Sequence, residues 1–241
     1  METRPDGSLG IAIGASRSGK SVLVKRVVEN AERALVFCPK GEYASQFGFE
    51  RITNKEALIK RVREVGKGKA RVNFIANSKA DFDFFCAVAF VFNMAAQATI
   101  VVEEVGQYTN AGKAIGAWGR LITQSLAYGP TILATVQRGQ EVDKTILGNA
   151  TFVHVLRHAN QRDREDIASR LDVPVEAVPD EKLKFFQWSS AKGVVCSGSI
   201  DFPKNKATKT WPEGTPRFRE NDNGRAYMTL EPTAKFKGYE Y

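Results

Sequence analysis

The amino-acid sequence predicts an α/β fold with a mainly parallel central sheet flanked by helices. From Leu9 onward, short apolar runs alternate with longer stretches whose apolar residues recur at helical spacing, a pattern typical of this class. The chain of 241 residues is 43% hydrophobic and 26% charged, which excludes the disordered and fibrous classes. This length allows one large α/β domain or two small ones.

The predicted strands share a short apolar run that is bounded by polar or turn-forming residues. In chain order they cover residues 9–13, 34–38, 72–75, 99–102, 131–136 and 152–156, followed by a hairpin of 184–188 and 193–196. The predicted helices share apolar positions three and four residues apart. The first ends near Glu29, and the others cover about 54–65, 81–97, 111–127, 143–147 and 161–171. The helix that Asp81 is predicted to cap is apolar nearly all round, which indicates that other elements cover it on several sides.

The composition changes after Asp201. Residues 203–241 contain four of the nine prolines and eight basic residues, but few aliphatic ones. We therefore assign residues 1–202 to the folded core and predict that 203–241 form an extended basic C-terminal tail. Its scattered aromatic residues are compatible with docking on a partner or on the chain's own core.

The charge of the chain favours a polyanionic partner. There are 35 Lys and Arg residues against 27 Asp and Glu, a net charge of +8, and a basic protein of this size concentrates nucleic acid. The longest apolar run, 84–92, has nine residues, against the roughly 18 that a membrane-spanning helix needs. The charged N-terminus lacks the apolar stretch of a signal peptide, and the three cysteines lack metal-ligand spacing. We expect a reduced protein that is not secreted and has no transmembrane segment.

A complete G-x-x-x-x-G-K-S motif, the Walker A motif or P-loop, lies between the first predicted strand and the first helix. It consists of Gly14, Ala15, Ser16, Arg17, Ser18, Gly19, Lys20 and Ser21. The glycines let successive backbone N–H groups point inward around phosphate oxygens, and the amino end of the helix adds its positive dipole end. Lys20 is expected to reach the β- and γ-phosphates, and the Ser21 hydroxyl to ligate Mg²⁺. The motif predicts a nucleotide site with Mg²⁺.

Polar residues follow two further predicted strands. Glu103 and Glu104 come directly after 99–102, and the carboxyl ends of parallel strands are where open α/β sheets bind ligands. In P-loop enzymes the first acid, usually Asp, holds the Mg²⁺ hydration shell, and a second can polarise the attacking water. We assign these roles to Glu103 and Glu104 as a Walker B pair. Gln137, after the next strand, is expected to orient that water.

Together these segments resemble the FtsK–HerA superfamily of DNA-pumping ATPases, whose fold is a RecA-like P-loop core. Residues 135–139, Thr-Val-Gln-Arg-Gly, stand where the superfamily has a Thr-Gln-Arg-Pro-like sequence, and 141–149 resemble its post-sensor helix. The resemblance covers about residues 9–170. Two features depart from it: Glu103 replaces Asp, and no Gly-Arg pair lies just before Tyr128 and Gly129, where many members keep a basic residue.

The size of the chain narrows the resemblance. Cellular pumps of the superfamily usually have membrane segments or an added N-terminal domain, whereas the first predicted strand begins here at Leu9. A minimal core is similar to the genome-packaging ATPases of tectivirus-like viruses, which contain a membrane and a double-jelly-roll capsid; this is an analogy from fold and size. It implies an ATP-hydrolysing ring, a pentamer or hexamer, that drives double-stranded DNA into a capsid. The implied partners are DNA, further copies of the chain and capsid or vertex proteins, in the host cytoplasm or the virion.

The resemblance also implies an arginine that completes the site of a neighbouring subunit. Arg120 follows Gly-Ala-Trp-Gly at 116–119, where the small residues Gly116, Ala117 and Gly119 would let a neighbour approach closely, and it is our candidate. Arg138 and Arg157 compete with it, because each follows a predicted strand end near the γ-phosphate.

Three other functions stay open at this stage. A nucleoside or nucleotide kinase would use arginines as a lid over the phosphates, and Arg157, Arg162, Arg164 and Arg170 are candidates; the alternative is a solvated helix face with a pair such as Arg162 and Asp166. A cellular or plasmid HerA-like pump and a nucleotide-gated assembly protein are the others. His154 and His158 lie four residues apart, but no further ligand is near, so no metal pair is predicted. Residues 67–71 form a basic loop that would touch DNA phosphates or be a plain turn.

Overall fold

The structure, a computed structural model, describes residues 6–201, 208–210, 215–220 and 226–231. Its strands are β1 Ser8–Ile13, β2 Arg33–Phe37, β3 Glu50–Ile52, β4 Ala70–Phe74, β5 Thr99–Val102, β6 Thr131–Val136, β7 Phe152–Leu156, β8 Lys184–Ser189, β9 Gly193–Asp201, β10 Thr208–Thr210, β11 Thr215–Glu220 and β12 Ala226–Glu231. Its α-helices are α1 Lys20–Glu29, α2 Glu42–Phe47, α3 Lys55–Val65, α4 Lys79–Ala95, α5 Gly116–Thr123, α6 Lys144–Asn149 and α7 Gln161–Leu171.

The central sheet has the strand order β10-β9-β8-β7-β1-β6-β5-β2-β4-β3. All neighbours from β7 to β3 run parallel, whereas β8, β9 and β10 extend the sheet antiparallel at one edge. The predicted α/β class and the predicted hairpin of β8 and β9 are thus confirmed. Strand β6 lies between β1 and β5, so the segments after these three strands meet at one edge of the sheet.

The helices cover both faces of the sheet because side chains alternate along each strand. In β2, Leu35 and Phe37 face the cluster that α3, α4, α5, α6 and α7 complete, whereas Ala34 and Val36 face the cluster that α1 and α2 complete. The predicted burial of α4 is largely confirmed, since it packs against α3, α5 and the sheet. No helix in the described part of the chain is long and apolar enough to cross a membrane.

Several predicted boundaries were wrong. Helix α4 begins after Ser78 rather than at Asp81, because the Ser78 hydroxyl accepts from the Asp81 backbone N–H at 3.0 Å and donates to its carboxylate at 2.6 Å, a reciprocal cap. Helix α5 is much shorter than the predicted 111–127, since Gly116 has a left-handed φ of 66° just at its start. Helix α2 and strand β3 were not predicted; each has six residues or fewer.

The predicted tail, 203–241, lies largely outside the described residues. Within it, β10 pairs antiparallel with β9, and β11 pairs antiparallel with β12. The docking of its aromatic residues lies outside what the structure describes, and the boundary at residue 202 stays a prediction.

Candidate nucleotide site

The Walker A loop joins β1 to α1 and wraps around the end of the Lys20 side chain. The Lys20 Nζ atom donates to the carbonyl oxygens of Gly14 at 2.7 Å and Ala15 at 3.1 Å. Lys20 is the first residue of α1, so the unpaired backbone N–H groups of the first turn border the same loop. Burial lowers the pKa of Lys20, while the charges of Glu104 and Glu103 act in the opposite direction. The loop therefore presents amides and one ammonium group to the same space.

Both glycines of the motif are required by the local geometry. A Cβ atom on Gly14 would lie 2.8 Å from the Leu156 Cβ and 2.8 Å from the Ser18 Oγ. Gly19 has a φ of 105°, a left-handed conformation that side chains disfavour. The loop is also tied to neighbouring strands, because the Ala15 N–H donates to the Arg157 carbonyl at 2.9 Å. These contacts fix the shape of the loop.

Glu103 is a buried carboxylate at the end of β5, beside the P-loop. Its Oε1 accepts from the Tyr43 hydroxyl at 2.6 Å, and its Oε2 accepts from the Thr135 hydroxyl at 2.6 Å and from Ser21 at 3.4 Å. Burial raises the pKa of Glu103, and the hydrogen bonds from Thr135 and Tyr43 oppose that shift. The carboxylate is thus held from three separate parts of the fold.

The oxygens of Ser21 and Glu103 fit a magnesium site. Mg²⁺ in phosphate-binding sites takes one or two protein oxygens and completes its shell with phosphate oxygens and waters. The Ser21 hydroxyl and the Glu103 Oε2 are 3.4 Å apart, and both border a cavity that Glu104 and Glu42 also line. A hard cation has suitable ligands here and an open side from which phosphates can complete its shell.

Glu104 has a backbone conformation that separates it from Glu103. Its φ is 55° and its ψ is 46°, a left-handed conformation that is uncommon outside glycine and clusters at functional sites. Its N–H donates to the Thr135 Oγ1 at 2.8 Å. The turn leaves the Glu104 side chain only partly buried at the cavity edge, whereas Glu103 points into the protein.

Gln137 lies between the P-loop and the acidic pair. It follows β6, whose last residue, Val136, is paired with Ile13 and accepts from the Gly14 N–H at 3.1 Å. The structure therefore brings Gln137 to the same edge of the sheet as Lys20 and Glu103. Its side chain is partly exposed.

Two residues of this site were missed by the sequence-based prediction of site residues. Tyr43 lies in helix α2, which was not predicted, and no motif in its segment marks it as a hydrogen-bond donor to Glu103. Thr135 was quoted only as part of the Thr-Val-Gln-Arg-Gly sequence. It could have been found from the predicted strands, because the register of β6 against β5 places Thr135 beside the two acids.

The three candidate arginines have different surroundings in the described chain. Arg120 is exposed on α5. The Arg138 Nε lies 3.9 Å from the Asp163 carboxylate, and its side chain is 62% exposed. The Arg157 Nε donates to the Asp180 carbonyl at 2.9 Å, while its own carbonyl accepts from the Ala15 N–H of the P-loop at 2.9 Å.

The arginines predicted as a possible kinase lid pack within their own helix region. Asp166 pairs with Arg170 at 2.8 Å rather than with the predicted Arg162, although both arginines are four residues from Asp166 on α7. The Arg164 Nη1 donates to the carbonyls of His158 and Ala159 at 3.2 and 3.3 Å. These contacts favour the solvated helix face over a phosphate lid.

The two histidines, His154 and His158, make different contacts in the structure. The His158 Nδ1 lies 2.7 Å from the Leu156 carbonyl, and the His154 ring stacks on Phe185 with centroids 6.0 Å apart. Within the described residues, no group of three or more His, Cys, Asp or Glu side chains could hold a metal ion.

The basic loop 67–71 leads into the start of β4, at the opposite ends of the parallel strands from the P-loop. Lys69 in this loop pairs with Glu32 at 2.7 Å.

The parallel sheet and the loop after β1 are those of a P-loop NTPase fold. In this fold β6 lies between β1, which leads into the P-loop, and β5, which leads into Glu103 and Glu104. No protein-family model matches the chain. Protein P9 of Pseudoalteromonas phage PM2 is 26% identical over 185 residues, which cover 73% of this chain and 83% of P9.

Solved structures with the same fold include a viral packaging protein. The genome packaging NTPase B204 from Sulfolobus turreted icosahedral virus 2, in complex with AMPPCP, matches with a TM-score of 0.62 and 14% identity over 77% of this chain and 93% of B204. VirB4 of Thermoanaerobacter pseudethanolicus matches with a TM-score of 0.54 and 10% identity over 83% of this chain and 91% of VirB4. The fold that the predicted resemblance implies is confirmed by these matches.

Proposed function

We propose that this chain hydrolyses ATP to move double-stranded DNA, as the genome-packaging ATPase of a virus. One observation carries the proposal: the P-loop, the buried Glu103 and the end of β6 meet at one edge of a sheet, in the fold that the packaging NTPase B204 also has. The net charge of +8 supports a polyanionic partner. The matched B204 protein is itself described as a genome packaging NTPase.

ATP binds through its phosphates at the Walker A loop. The N–H groups of Gly14 and Ala15 are bonded to neighbouring strands, so the phosphate oxygens bind to backbone N–H groups of the loop after Ala15 and of the first turn of α1. Lys20 exchanges its contacts with the Gly14 and Ala15 carbonyls for the β- and γ-phosphates. Ser21 and Glu103 would hold Mg²⁺, which would supply charge neutralisation at the phosphates when bound. The cavity that Ser21, Glu103 and Glu104 line offers space for the phosphate end of ATP beside the loop.

Hydrolysis then needs a water in line with the γ-phosphate. Glu104, partly exposed at the cavity, accepts a proton from that water, while the Gln137 amide orients it. Glu103 is too enclosed by Tyr43 and Thr135 to do the same, so the two acids divide the metal and the water between them. An arginine from a neighbouring subunit, with Arg120 as first candidate, stabilises the charge that develops on the phosphoryl oxygens.

The proposal includes a ring of five or six copies around DNA, at a capsid vertex or in the host cytoplasm. Electron microscopy of the protein with an ATP analogue and duplex DNA tests the ring. Steady-state hydrolysis of ATP with and without duplex DNA tests the motor, and a panel of nucleosides and nucleotides as phosphate acceptors tests the kinase alternative. We expect hydrolysis that DNA stimulates and no phosphate transfer to any acceptor. Transfer to a nucleoside would replace the proposal with a kinase, and nucleotide binding with negligible turnover would favour an assembly protein.

The mode of DNA binding gives a second measurement. A pump must hold every step of the duplex alike, so it contacts phosphates rather than base edges. We expect similar affinities for unrelated duplexes, with a steep loss between low and moderate salt. A marked preference for one sequence would indicate a regulator instead.

A further inference from the structure

We infer that Tyr43 is a positioning residue for Glu103, and that its hydroxyl keeps the metal-facing oxygen of this carboxylate directed at Ser21. The inference rests on the proposed function, because it concerns the same Mg²⁺–ATP site. Tyr43 is 1% exposed, and its hydroxyl lies 2.6 Å from the Glu103 Oε1. A buried hydroxyl at this distance from a buried carboxylate oxygen is a charge-assisted hydrogen bond.

The hydrogen bonds at Glu103 divide its two oxygens between different tasks. Oε1 accepts from Tyr43, whereas Oε2 accepts from Thr135 at 2.6 Å and lies 3.4 Å from the Ser21 hydroxyl. The terminal torsion of a glutamate is soft, so the carboxylate would rotate if it were held on one side only. Tyr43 and Thr135 come from different elements, α2 and β6, and any rotation breaks at least one of the two bonds.

Tyr43 can act in this way because its own ring is fixed. The ring packs edge-on against Phe49, with centroids 5.7 Å apart and planes at 74°. Its neighbour in α2, Glu42, forms an ion pair with Lys25 of α1, which ties this short helix to the helix that follows the P-loop. The hydroxyl donor is therefore in place before any ligand arrives.

This arrangement also accounts for a glutamate where P-loop enzymes usually have aspartate. Glutamate has one more rotatable bond than aspartate, so its carboxylate needs an additional contact to hold one orientation. Tyr43 supplies that contact from a segment outside the Walker motifs. An aspartate at position 103 would withdraw the carboxylate from the Tyr43 hydroxyl by about one carbon–carbon bond, roughly 1.5 Å.

The test compares nucleotide affinity with and without Mg²⁺ in the full chain. Tyr43→Phe removes the hydroxyl and keeps the ring that packs on Phe49. A fluorescent ATP analogue is titrated in Mg²⁺ and in EDTA, and melting temperatures establish that the variants are folded. We expect Tyr43→Phe to weaken binding about 10- to 100-fold in Mg²⁺, the usual effect of losing an outer-sphere partner, with a change within about twofold in EDTA.

A matched control is Tyr108→Phe. Tyr108 is also buried, and its hydroxyl donates to the Asn77 Oδ1 at 3.0 Å rather than to Glu103. We expect this variant to bind Mg²⁺–nucleotide as the wild type does. Equal losses in Tyr43→Phe and Tyr108→Phe would overturn the inference, and so would unchanged Mg²⁺-dependent binding in Tyr43→Phe.

A double-mutant cycle separates positioning from a structural effect. In a Glu103→Ala background the carboxylate is gone, so adding Tyr43→Phe should change Mg²⁺-dependent affinity no further, and the two effects should be strongly non-additive. Additive losses would mean that Tyr43 acts only on the fold, since a folding defect persists without Glu103. A wild-type chain whose nucleotide binding does not depend on Mg²⁺ would overturn the proposed function as well, whereas Mg²⁺-dependent binding with additive losses would overturn the role of Tyr43 alone.

Discussion

Glu103, at the end of β5, and the candidate arginines differ in how many hydrogen bonds this chain gives their side chains and in how exposed they are. Glu103 is 6% exposed and accepts hydrogen bonds from Tyr43 and Thr135. Arg138, by contrast, is 62% exposed and has a partner only at 3.9 Å, and an exposed pair of this kind contributes about 0–1 kcal/mol. The difference teaches that the contacts of Glu103 are built within one copy, whereas the exposed arginines are left accessible to a ligand or to a neighbouring copy.

The largest effect is expected at the centre of the self-contained region. Lys20→Ala removes the ammonium group that the P-loop encloses, so both the charge and the phosphate contact disappear. We expect loss of measurable ATP hydrolysis and strongly weakened nucleotide binding. Lys60→Ala, at a lysine that is 79% exposed on α3, is the control and should hydrolyse ATP normally. Full activity in Lys20→Ala would contradict the assignment of the nucleotide site.

The role of the exposed Arg120 is tested by mixing subunits that carry different substitutions. An arginine that acts on a neighbour's phosphate contributes roughly 10³–10⁵ in rate, so Arg120→Ala should lower hydrolysis by that order. Arg120→Ala subunits keep an intact P-loop, and Lys20→Ala subunits keep Arg120, so a mixture of two inactive proteins should regain part of the activity. Hydrolysis rates of the mixture against each mutant alone are the measurement.

The control for the mixing experiment is Arg63→Ala. Arg63 is also exposed but lies on α3 rather than α5, and this variant should stay fully active. Normal activity of Arg120→Ala alone, together with no recovery in the mixture, would remove Arg120 as the finger. Arg138 and Arg157 would then be tested in the same way.

The roles of Glu103 and Glu104 are distinguished by a substitution with a smaller expected effect on the hydrolysis rate. Glu104→Gln keeps the size of the side chain but removes its ability to accept a proton, and general bases contribute about 10²–10⁴ in rate. We expect this loss in hydrolysis, unchanged ATP binding and a complex trapped on DNA. Glu64→Gln, at a half-exposed glutamate of α3, is the control. If Glu104→Gln hydrolyses ATP at the wild-type rate, the assignment of the Walker B acids is wrong.

What the sequence predicted well has local causes. The apolar runs of β1, β5 and β6 predicted the strands, and the P-loop motif lies between a strand and a helix as expected, because each depends on neighbouring residues. Tyr43 could not be found in this way, since its contact with Glu103 spans 60 positions of the chain. Helix α2 has left-handed glycines at both ends, Gly41 and Gly48, and a helix this short depends on packing more than on propensity.

The smallest effect concerns a histidine near the P-loop and the free energy of unfolding. His158 is 1% exposed and its Nδ1 lies 2.7 Å from the Leu156 carbonyl, while its Nε2 is buried without a hydrogen-bond partner among the described residues. A proton on Nε2 would add a buried donor that lacks an acceptor in this part of the chain. Burial therefore lowers the pKa of His158.

The sign of the pH dependence follows from this lowered pKa. Above the unfolded-state pKa of about 6.5 both states are neutral at His158 and stability is at its full value. As the pH falls below that, the unfolded chain takes up a proton that the folded chain resists, so stability declines until the folded pKa is passed. The buried carboxyl groups of Glu103 and Asp143 have raised pKa values and act in the opposite direction. Because they are unchanged in His158→Gln, the difference between the two proteins isolates the histidine. We expect urea denaturation between pH 7.5 and 5.5 to show a steeper loss of stability in the wild type than in His158→Gln, and parallel profiles would show that His158 takes up its proton equally in the folded state.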